Sequence, residues 1–247
     1  MRTAILSDIH ANLPAFEAVL AEVEKASPDE VWCLGDVVGY GAQPDDCAKL
    51  AADRCDLCLA GNHDLAVLGD LDISSFSPAA ASAVRWTRSS ASEETFEFLC
   101  GLEPADDSRE VGLYHASPRD PVWEYVLWPD QATECIQRQS GRVSFIGHSH
   151  VALYFVLEDG GPPETLARGS QAEDGDRLEL DSERWLINPG SVGQPRDGDP
   201  RAAWLELDTE KWTATYQRVE YDIDSAAAAI READLPGHLA DRLYIGQ

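Results

Sequence analysis

Five of the six histidines in this chain stand where a short apolar run gives way to polar residues: His10, His63, His115, His148 and His150. Only His238 lies elsewhere. Two pairs repeat one spacing, Asp8 with His10 in Ser7-Asp8-Ile9-His10 and His148 with His150 in Gly147-His148-Ser149-His150. In extended chain, positions two apart point the same way, so each pair can aim two donors at one point. A carboxylate oxygen and an imidazole nitrogen suit a divalent transition metal. Asp36, Asn62 and His115 add three donors at other predicted strand ends, although Asp36 and Asn62 taken singly read better as turn formers. Seven oxygen and nitrogen donors exceed the four typical of one zinc and suit two cations that share a bridging carboxylate. Gly35, Gly61 and Gly147 precede these donors, where bare backbone allows close approach and unusual φ/ψ.

Donors so far apart in sequence converge only if the elements before them end side by side. Thr3 to Ser7, Val31 to Leu34 and Leu57 to Ala60 read as short buried strands, ending in Asp8, Gly35-Asp36 and Gly61-Asn62-His63-Asp64. Between them, Leu13 to Ala26 reads as a helix that Asn12 can cap, with Pro14 in its first turn and an apolar stripe of Phe16, Val19, Leu20 and Val23. Asp45 to Arg54 reads as a second helix. Strand–loop–helix repetition argues an α/β sheet with largely parallel strands and ligands at the strand ends. Pro78 to Ser90, Ser92 to Cys100 and Asp130 to Gln139 read as helices, and Val111 to Tyr114 and Val143 to Ile146 as strands that end at His115 and Gly147. Pro118 to Pro129, rich in Arg, Trp and Tyr, reads as a long functional loop. After His150 strands dominate: Val151 to Leu157, Arg177 to Leu180, Arg184 to Ile187, Ala202 to Leu207 and Trp212 to Val219. Gly160-Gly161-Pro162-Pro163 and Glu173-Asp174-Gly175-Asp176 supply turns, and short helices near Asp224 to Glu232 and Leu235 to Leu243 follow. The expectation is one α/β domain over residues 1–247: two packed sheets flanked by helices.

Composition narrows the partners. The net charge of -26 repels duplex nucleic acid and anionic membranes. One hypothesis for it is adaptation to a salty or otherwise unusual cytoplasm, where salt screens self-repulsion; greater stability in low salt would rule that out. No apolar run approaches the roughly 18 residues of a membrane span, and the N-terminus enters a strand without a signal-peptide pattern, so a cytoplasmic location is expected. Cys33, Cys47, Cys55, Cys58, Cys100 and Cys135 are expected as free thiols there. Cys55-Asp56-Leu57-Cys58 has the spacing of half a zinc knuckle, but no second pair follows.

Taken together, Asp8-Ile9-His10, Gly35-Asp36-Val37-Val38-Gly39, Gly61-Asn62-His63-Asp64, His115 and Gly147-His148-Ser149-His150 resemble the successive motifs of the calcineurin-like metallophosphoesterases. Ser149 stands where that family often has Thr, so a small hydroxyl is kept. Asn188-Pro189-Gly190-Ser191-Val192-Gly193-Gln194-Pro195-Arg196 is similar to the small bacterial and archaeal phosphodiesterase and diadenosine-tetraphosphatase-like branch. The resemblance implies an α/β fold of two mixed β-sheets packed as a sandwich flanked by helices, αββα. It further implies that Asp8, His10, Asp36 and His150 hold one divalent ion and Asp36, Asn62, His115 and His148 another. The ions would be Mn, Fe, Zn, Co or Ni, which the donor types do not distinguish. His63 would face the phosphoryl group and the leaving oxygen, with Asp64 orienting it. The expected reaction is hydrolysis of a small phosphodiester or nucleotide pyrophosphate by a hydroxide shared between the two ions.

Candidate substrate contacts are Asn62, Asn12, Ser191, Arg196 and Arg119, with Trp123 or Tyr125 as a stacking surface. The glycines before Arg196 could free backbone N–H groups to form an anion nest, or could make only a tight turn between strands. Two other readings stand beside this one: a phosphoprotein phosphatase, and a non-catalytic metal-binding scaffold of the same fold.

Overall fold

A computed structural model of the chain describes residues 1–158, 160, 162, 165–180 and 183–247. Two mixed sheets of six strands each face one another. The first contains β1 (Arg2–Leu6), β2 (Glu30–Cys33) and β3 (Leu57–Cys58). The second contains β4 (Ala105–Asp106), β5 (Gly112–Tyr114), β6 (Val143–Phe145), β7 (Ala152–Leu157) and β8 (Arg168–Gln171). The chain then alternates: β9 (Arg177–Glu179) joins the first sheet, β10 (Arg184–Pro189) the second, and β11 (Ala202–Asp208) and β12 (Thr213–Val219) the first. The orders are β3-β2-β1-β11-β12-β9 and β4-β5-β6-β10-β7-β8.

β1 and β10 are the central ribs. Ala4, Ile5 and Leu6 are fully buried because β1 lies under helices on one face and under the second sheet on the other. It pairs parallel with β2 (Ala4 opposite Val31) and antiparallel with β11 (Ala4 opposite Glu206). β10 likewise pairs parallel with β6 and antiparallel with β7. Parallel pairing thus holds along β1-β2-β3 of the first sheet and β5-β6-β10 of the second, while the remaining pairs are antiparallel. The returning strands β11 and β12 form an antiparallel hairpin, which needs no crossover helix.

The core between the sheets joins Ile5, Leu205 and Tyr216 of the first to Leu113, Phe145 and Ile187 of the second. Tyr216 Oη donates to the Leu153 carbonyl at 2.7 Å, tying the layers together. Outside the first sheet lie α1 (Leu13–Ala26), α2 (Pro44–Arg54), α3 (Asn62–Leu68), α4 (Pro78–Ser90) and α5 (Glu93–Cys100). α1 buries Phe16, Val19, Leu20 and Val23, the stripe that its sequence predicts. Burial of a side chain the size of Phe16 is worth about 1.5–3 kcal/mol. α6 (Pro129–Arg138) covers the second sheet. α7 (Ile223–Glu232), α8 (His238–Asp241) and a turn at Arg242–Tyr244 pack onto α4 through Ala83, Ala227, Leu239 and Leu243.

Three differences from the sequence reading matter below. The Gly61-Asn62-His63-Asp64 segment is the start of α3, not a loop after the short strand. The last expected helix is one turn of α-helix followed by a 3-10 turn. Strands β4 and β8 escaped notice, the latter because all four of its residues are exposed and carry no alternation. The Glu173–Asp176 turn is present, closed by a hydrogen bond from Asp176 N to Glu173 O at 3.1 Å. Of the Gly160–Pro163 turn, Gly161 and Pro163 lie outside the described residues. The six cysteines are free. Among the described residues no helix is long and apolar enough to cross a membrane.

Candidate metal centre and substrate cleft

The donors gather at one end of the sandwich, but not as extended chain. Asp8 (φ 55°), His10 (φ 51°), Asp36 (φ 54°), His148 (φ 64°) and His150 (φ 59°) all adopt left-handed backbone. The convergence of each i, i+2 pair thus comes from two matching left-handed residues just beyond a strand, which corrects the extended-chain expectation. Such a conformation is unfavourable by roughly 1–2 kcal/mol for an ordinary residue, and Asp, Asn and His tolerate it best.

A backbone lattice over-determines these loops. Asp8 N donates to Gly35 O at 3.0 Å and His10 N to Asp36 O at 2.9 Å, so the loops after β1 and β2 stay zipped beyond the strands. Val192 N donates to Ser7 O and Gly193 N to Asp8 O, each at 2.9 Å. Ser191 Oγ donates to the same Asp8 carbonyl at 2.8 Å and accepts from Gln194 N at 2.8 Å. The segment from Asn188 to Arg196 is therefore a clasp under the Asp8 loop. Its N–H groups at Val192 and Gly193 serve protein carbonyls and do not form an anion nest. Ser191 lies fully buried within the clasp, not in the cleft. Two glycines allow the close approaches: a Cβ on Gly61 would stand 1.9 Å from Asp36 Oδ1, and one on Gly147 would stand 2.0 Å from Ser7 Oγ.

Asp8, His10, Asp36 and His150 form one cluster that could hold a cation, and Asp36, His115 and His148 a second. Within each, donor atoms lie within 4.8 Å of one another, and Asp36 belongs to both. His10 Nε2 lies 3.4 Å and His115 Nε2 3.6 Å from Asp36 Oδ2, while His150 Nε2 lies 3.5 Å from Asp8 Oδ1. Asn62 Oδ1 lies 3.2 Å from His115 Nε2, so Asn62 joins the second group. All of these side chains are buried.

Hydrogen bonding fixes which atoms point inward. The Nδ1 atoms of His10, His115 and His150 face the carbonyls of Val38 (3.1 Å), Leu34 (2.9 Å) and Gln194 (2.7 Å). A carbonyl only accepts, so each Nδ1 carries the proton and each Nε2 presents a lone pair. His148 is reversed: its Nε2 faces the Trp123 carbonyl at 3.2 Å, leaving Nδ1 for the cluster. Two lone pairs then confront each other, since His10 Nε2 and His150 Nε2 are 3.0 Å apart. Asp36 Oδ1 accepts from His63 N at 2.8 Å, but Oδ2 is buried without a partner. Burial pushes the Asp8 carboxyl up to about 7 and Asp36 well above its usual range, and holds His10, His148 and His150 well below theirs. Facing lone pairs and an orphaned carboxylate oxygen are the donor set that divalent cations would satisfy.

Above the donors is a cleft of about 320 Å³. His63 lines it; its Nδ1 lacks a hydrogen-bond partner and abuts Gly39, where a Cβ would stand 2.4 Å away. Asp64 does not touch this imidazole in the way expected of an orienting group. Its carboxylate accepts from the N–H groups of Gly61 (2.8 Å), Val38 (3.0 Å) and Val37 (3.3 Å), so it locks the start of α3 to the Asp36 loop and places His63 through the backbone. Aromatic rings enclose His63: Tyr40 at 4.3 Å and Phe76 at 5.1 Å between centroids. Tyr125 stacks on His148 at 4.1 Å, and Trp123 meets Phe76 at 5.1 Å.

Arg196 and Arg242 complete the lining. Asn12 lies beneath it, capping α1 through Ala15 N (3.2 Å) and donating to Gly193 O (2.8 Å). Arg119 is held by Glu124 and Glu134 and does not line the cleft, which leaves Arg196 alone of the two arginines first singled out. Sequence reasoning missed Tyr40, Phe76 and Arg242. The position of Tyr40, four residues after Asp36, was a usable signal; the other two are brought in by tertiary structure alone.

Donors at the strand ends of two facing mixed sheets, with one carboxylate common to two clusters, define a metallophosphoesterase-type site. The sequence profile of the calcineurin-like phosphoesterase superfamily domain matches residues 1–210, and the chain belongs to that superfamily. An uncharacterised protein of Methanocaldococcus jannaschii is 38% identical over 249 residues, covering 99% of this chain and 98% of that one. The crystal structure of a metallophosphoesterase from Sphaerobacter thermophilus is 38% identical, with a TM-score of 0.89 over 100% of this chain and 99% of the other. A hypothetical protein from Pyrococcus horikoshii OT3 shares the fold at 17% identity, with a TM-score of 0.77 over 100% of this chain and 98% of that one.

Proposed function

We propose that the chain is a single-domain, divalent-metal-dependent hydrolase of a small phosphodiester or nucleotide pyrophosphate. The observation that carries this reading is Asp36 Oδ2, buried, unpartnered and 3.4–3.6 Å from two imidazole nitrogens that belong to different clusters. Asp8, His10, Asp36 and His150 hold one cation; Asp36, Asn62, His115 and His148 hold the other. Bound cations would supply Lewis-acid polarisation of the phosphoryl oxygens and activation of water.

The remaining work falls to side chains of the cleft. With Nδ1 turned to Gly39, His63 uses Nε2 to hydrogen-bond the phosphoryl group and to protonate the departing oxygen. Its ring is held by Tyr40 and Phe76, so no reorganisation is needed as charge develops. Tyr40, Phe76, Trp123 and Tyr125 exclude water around it and offer faces against which a base or other flat group can stack. A local cationic centre also reconciles an anionic substrate with a net charge of -26.

The test is metal analysis of protein purified without chelators, followed by assay with added manganese. The panel is bis(p-nitrophenyl) phosphate, phosphomonoesters, cyclic nucleotides, dinucleoside polyphosphates and a phosphopeptide. Bound metal with turnover of a diester or pyrophosphate is expected. Turnover of the phosphopeptide alone would favour a phosphoprotein phosphatase. Stoichiometric metal without turnover of any member would leave a binding scaffold.

A further inference from the structure

One wall of the cleft carries a charge arrangement that cation binding leaves unexplained. Arg196 Nη2 donates to Gln194 Oε1 at 2.8 Å, and Arg242 Nη1 donates to the same oxygen at 3.0 Å. One neutral amide oxygen thus holds two guanidinium groups side by side. Among the described residues neither pairs with an aspartate or glutamate side chain, and Arg242 Nε donates to the Gln247 backbone oxygen. That is unusual in a chain with 45 Asp and Glu against 19 Lys and Arg. Other buried or half-buried arginines on this side of the fold are paired with carboxylates: Arg218 with Asp197, and Arg201 with Asp199 (2.7 Å) and Asp174 (2.9 Å). Like charges this close destabilise each other unless an anion is shared between them. Burial and the Arg196 charge already hold Arg242 below its usual range.

One unpartnered donor marks where such an anion would sit. Arg196 Nε is buried without a partner, and the Arg196 guanidinium lies 5.5 Å from the centre of the Tyr40 ring. Arg242 is anchored by its neighbour Leu243, 3% exposed in the α4–α7–α8 cluster, so its position is set by packing. Both arginines line the same cleft as Asp36, His63 and His150. Arg242 lies beyond residues 1–210, so it belongs to a segment outside the superfamily match.

We infer that Arg196 and Arg242 form a subsite for a second phosphate of the substrate, beside the phosphate over the metal cluster. This rests on the phosphoesterase reading and narrows it: the substrate is a nucleoside polyphosphate cut at a P–O–P bridge. Hydrolysis forms a bond from water oxygen to one phosphorus and breaks the bridging P–O bond. The bridging oxygen leaves on the second phosphate with the proton that His63 gives it, and the negative charge of that phosphate falls between the two guanidiniums, which can hold it through their remaining N–H groups. One proton of the water returns to His63. The C-terminal helices thereby act as a specificity element delivered to the superfamily site.

Two measurements decide this. In the first, manganese-loaded wild type, R242K and R242Q are assayed on diadenosine tetraphosphate and on bis(p-nitrophenyl) phosphate, which has no second phosphate. R242Q should lower kcat/KM for the polyphosphate at least tenfold more than for the diester, with R242K between wild type and R242Q because it keeps the charge without the fork. Equal losses on both substrates, or none on either, overturn the proposal. In the second, the melting temperature of metal-stripped protein is followed with millimolar inorganic pyrophosphate. A rise in wild type that R242Q loses supports the subsite; no rise in wild type overturns it. A wild-type rise with no turnover of any ester would sink the phosphoesterase reading and leave the anion subsite standing.

Discussion

The floor and the walls of the cleft are built on opposite terms. On the floor, donor atoms are buried and nearly every polar neighbour is a backbone group of an adjoining loop: Val38, Leu34 and Gln194 carbonyls behind the imidazoles, and N–H groups around Asp64. The walls are rings and guanidiniums from scattered places: Tyr40 after β2, Phe76 before α4, Trp123 in the loop before α6, Arg242 at the chain's far end. The floor is a rigid device for holding charge. The walls are exchangeable furniture that chooses what is held. Chemistry should therefore fail in an all-or-none way when the floor is altered, and by degrees when the walls are.

Asp36→Asn tests the floor hardest. It neutralises the one donor common to both clusters, so metal content should collapse and turnover should fall by about 10³ or more, equivalent to several kcal/mol of barrier. Normal metal per chain in this variant would remove the shared role. His63→Ala lies between floor and wall: the protein should retain its metal while kcat drops by about 10²–10⁴. If kcat holds, the imidazole takes no part in the reaction. Gly193→Ala tests the clasp without touching a donor. The added Cβ would stand 1.8 Å from the Ile9 carbonyl oxygen, so the Asp8 loop must shift, with a stability loss of about 1–3 kcal/mol read by denaturant melts, and with weaker metal retention. Trp123→Ala should do least: metal content intact, melting unchanged, and KM for a nucleotide substrate raised by roughly two- to tenfold, the worth of one aromatic contact. A loss of metal there would show that the Trp123 carbonyl behind His148 depends on its side chain.

The same division explains what could be read from the amino acids alone. Floor residues were legible because chemistry restricts their type and strand ends restrict their place: Asp8, His10, Asp36, Asn62, His115, His148 and His150 are all found together. Their conformation was not legible, since Asp and His occur in both extended and left-handed backbone. The start of α3 was open to inference, because Asp64 at its third position caps Gly61 N, yet the run Gly61-Asn62-His63-Asp64 resembles a turn as much as a helix start. Ser191 and Asn12 have polar side chains in the right segments, but their partners are carbonyls and amides of other loops, which no local pattern shows. Arg242 depends on how α7 and α8 pack, and exposed β8 offers no periodicity to read.

The left-handed kinks at five donors carry a consequence for how this centre can vary over evolutionary time. On the function proposed above, a replacement there must both bind a cation and tolerate a backbone twist that β-branched side chains resist. That leaves a vocabulary of little more than aspartate, asparagine, histidine and, without any donor, glycine. Lineages abandoning catalysis would be expected to drift first to asparagine or glycine at these places, preserving the sandwich while the charge chemistry fades.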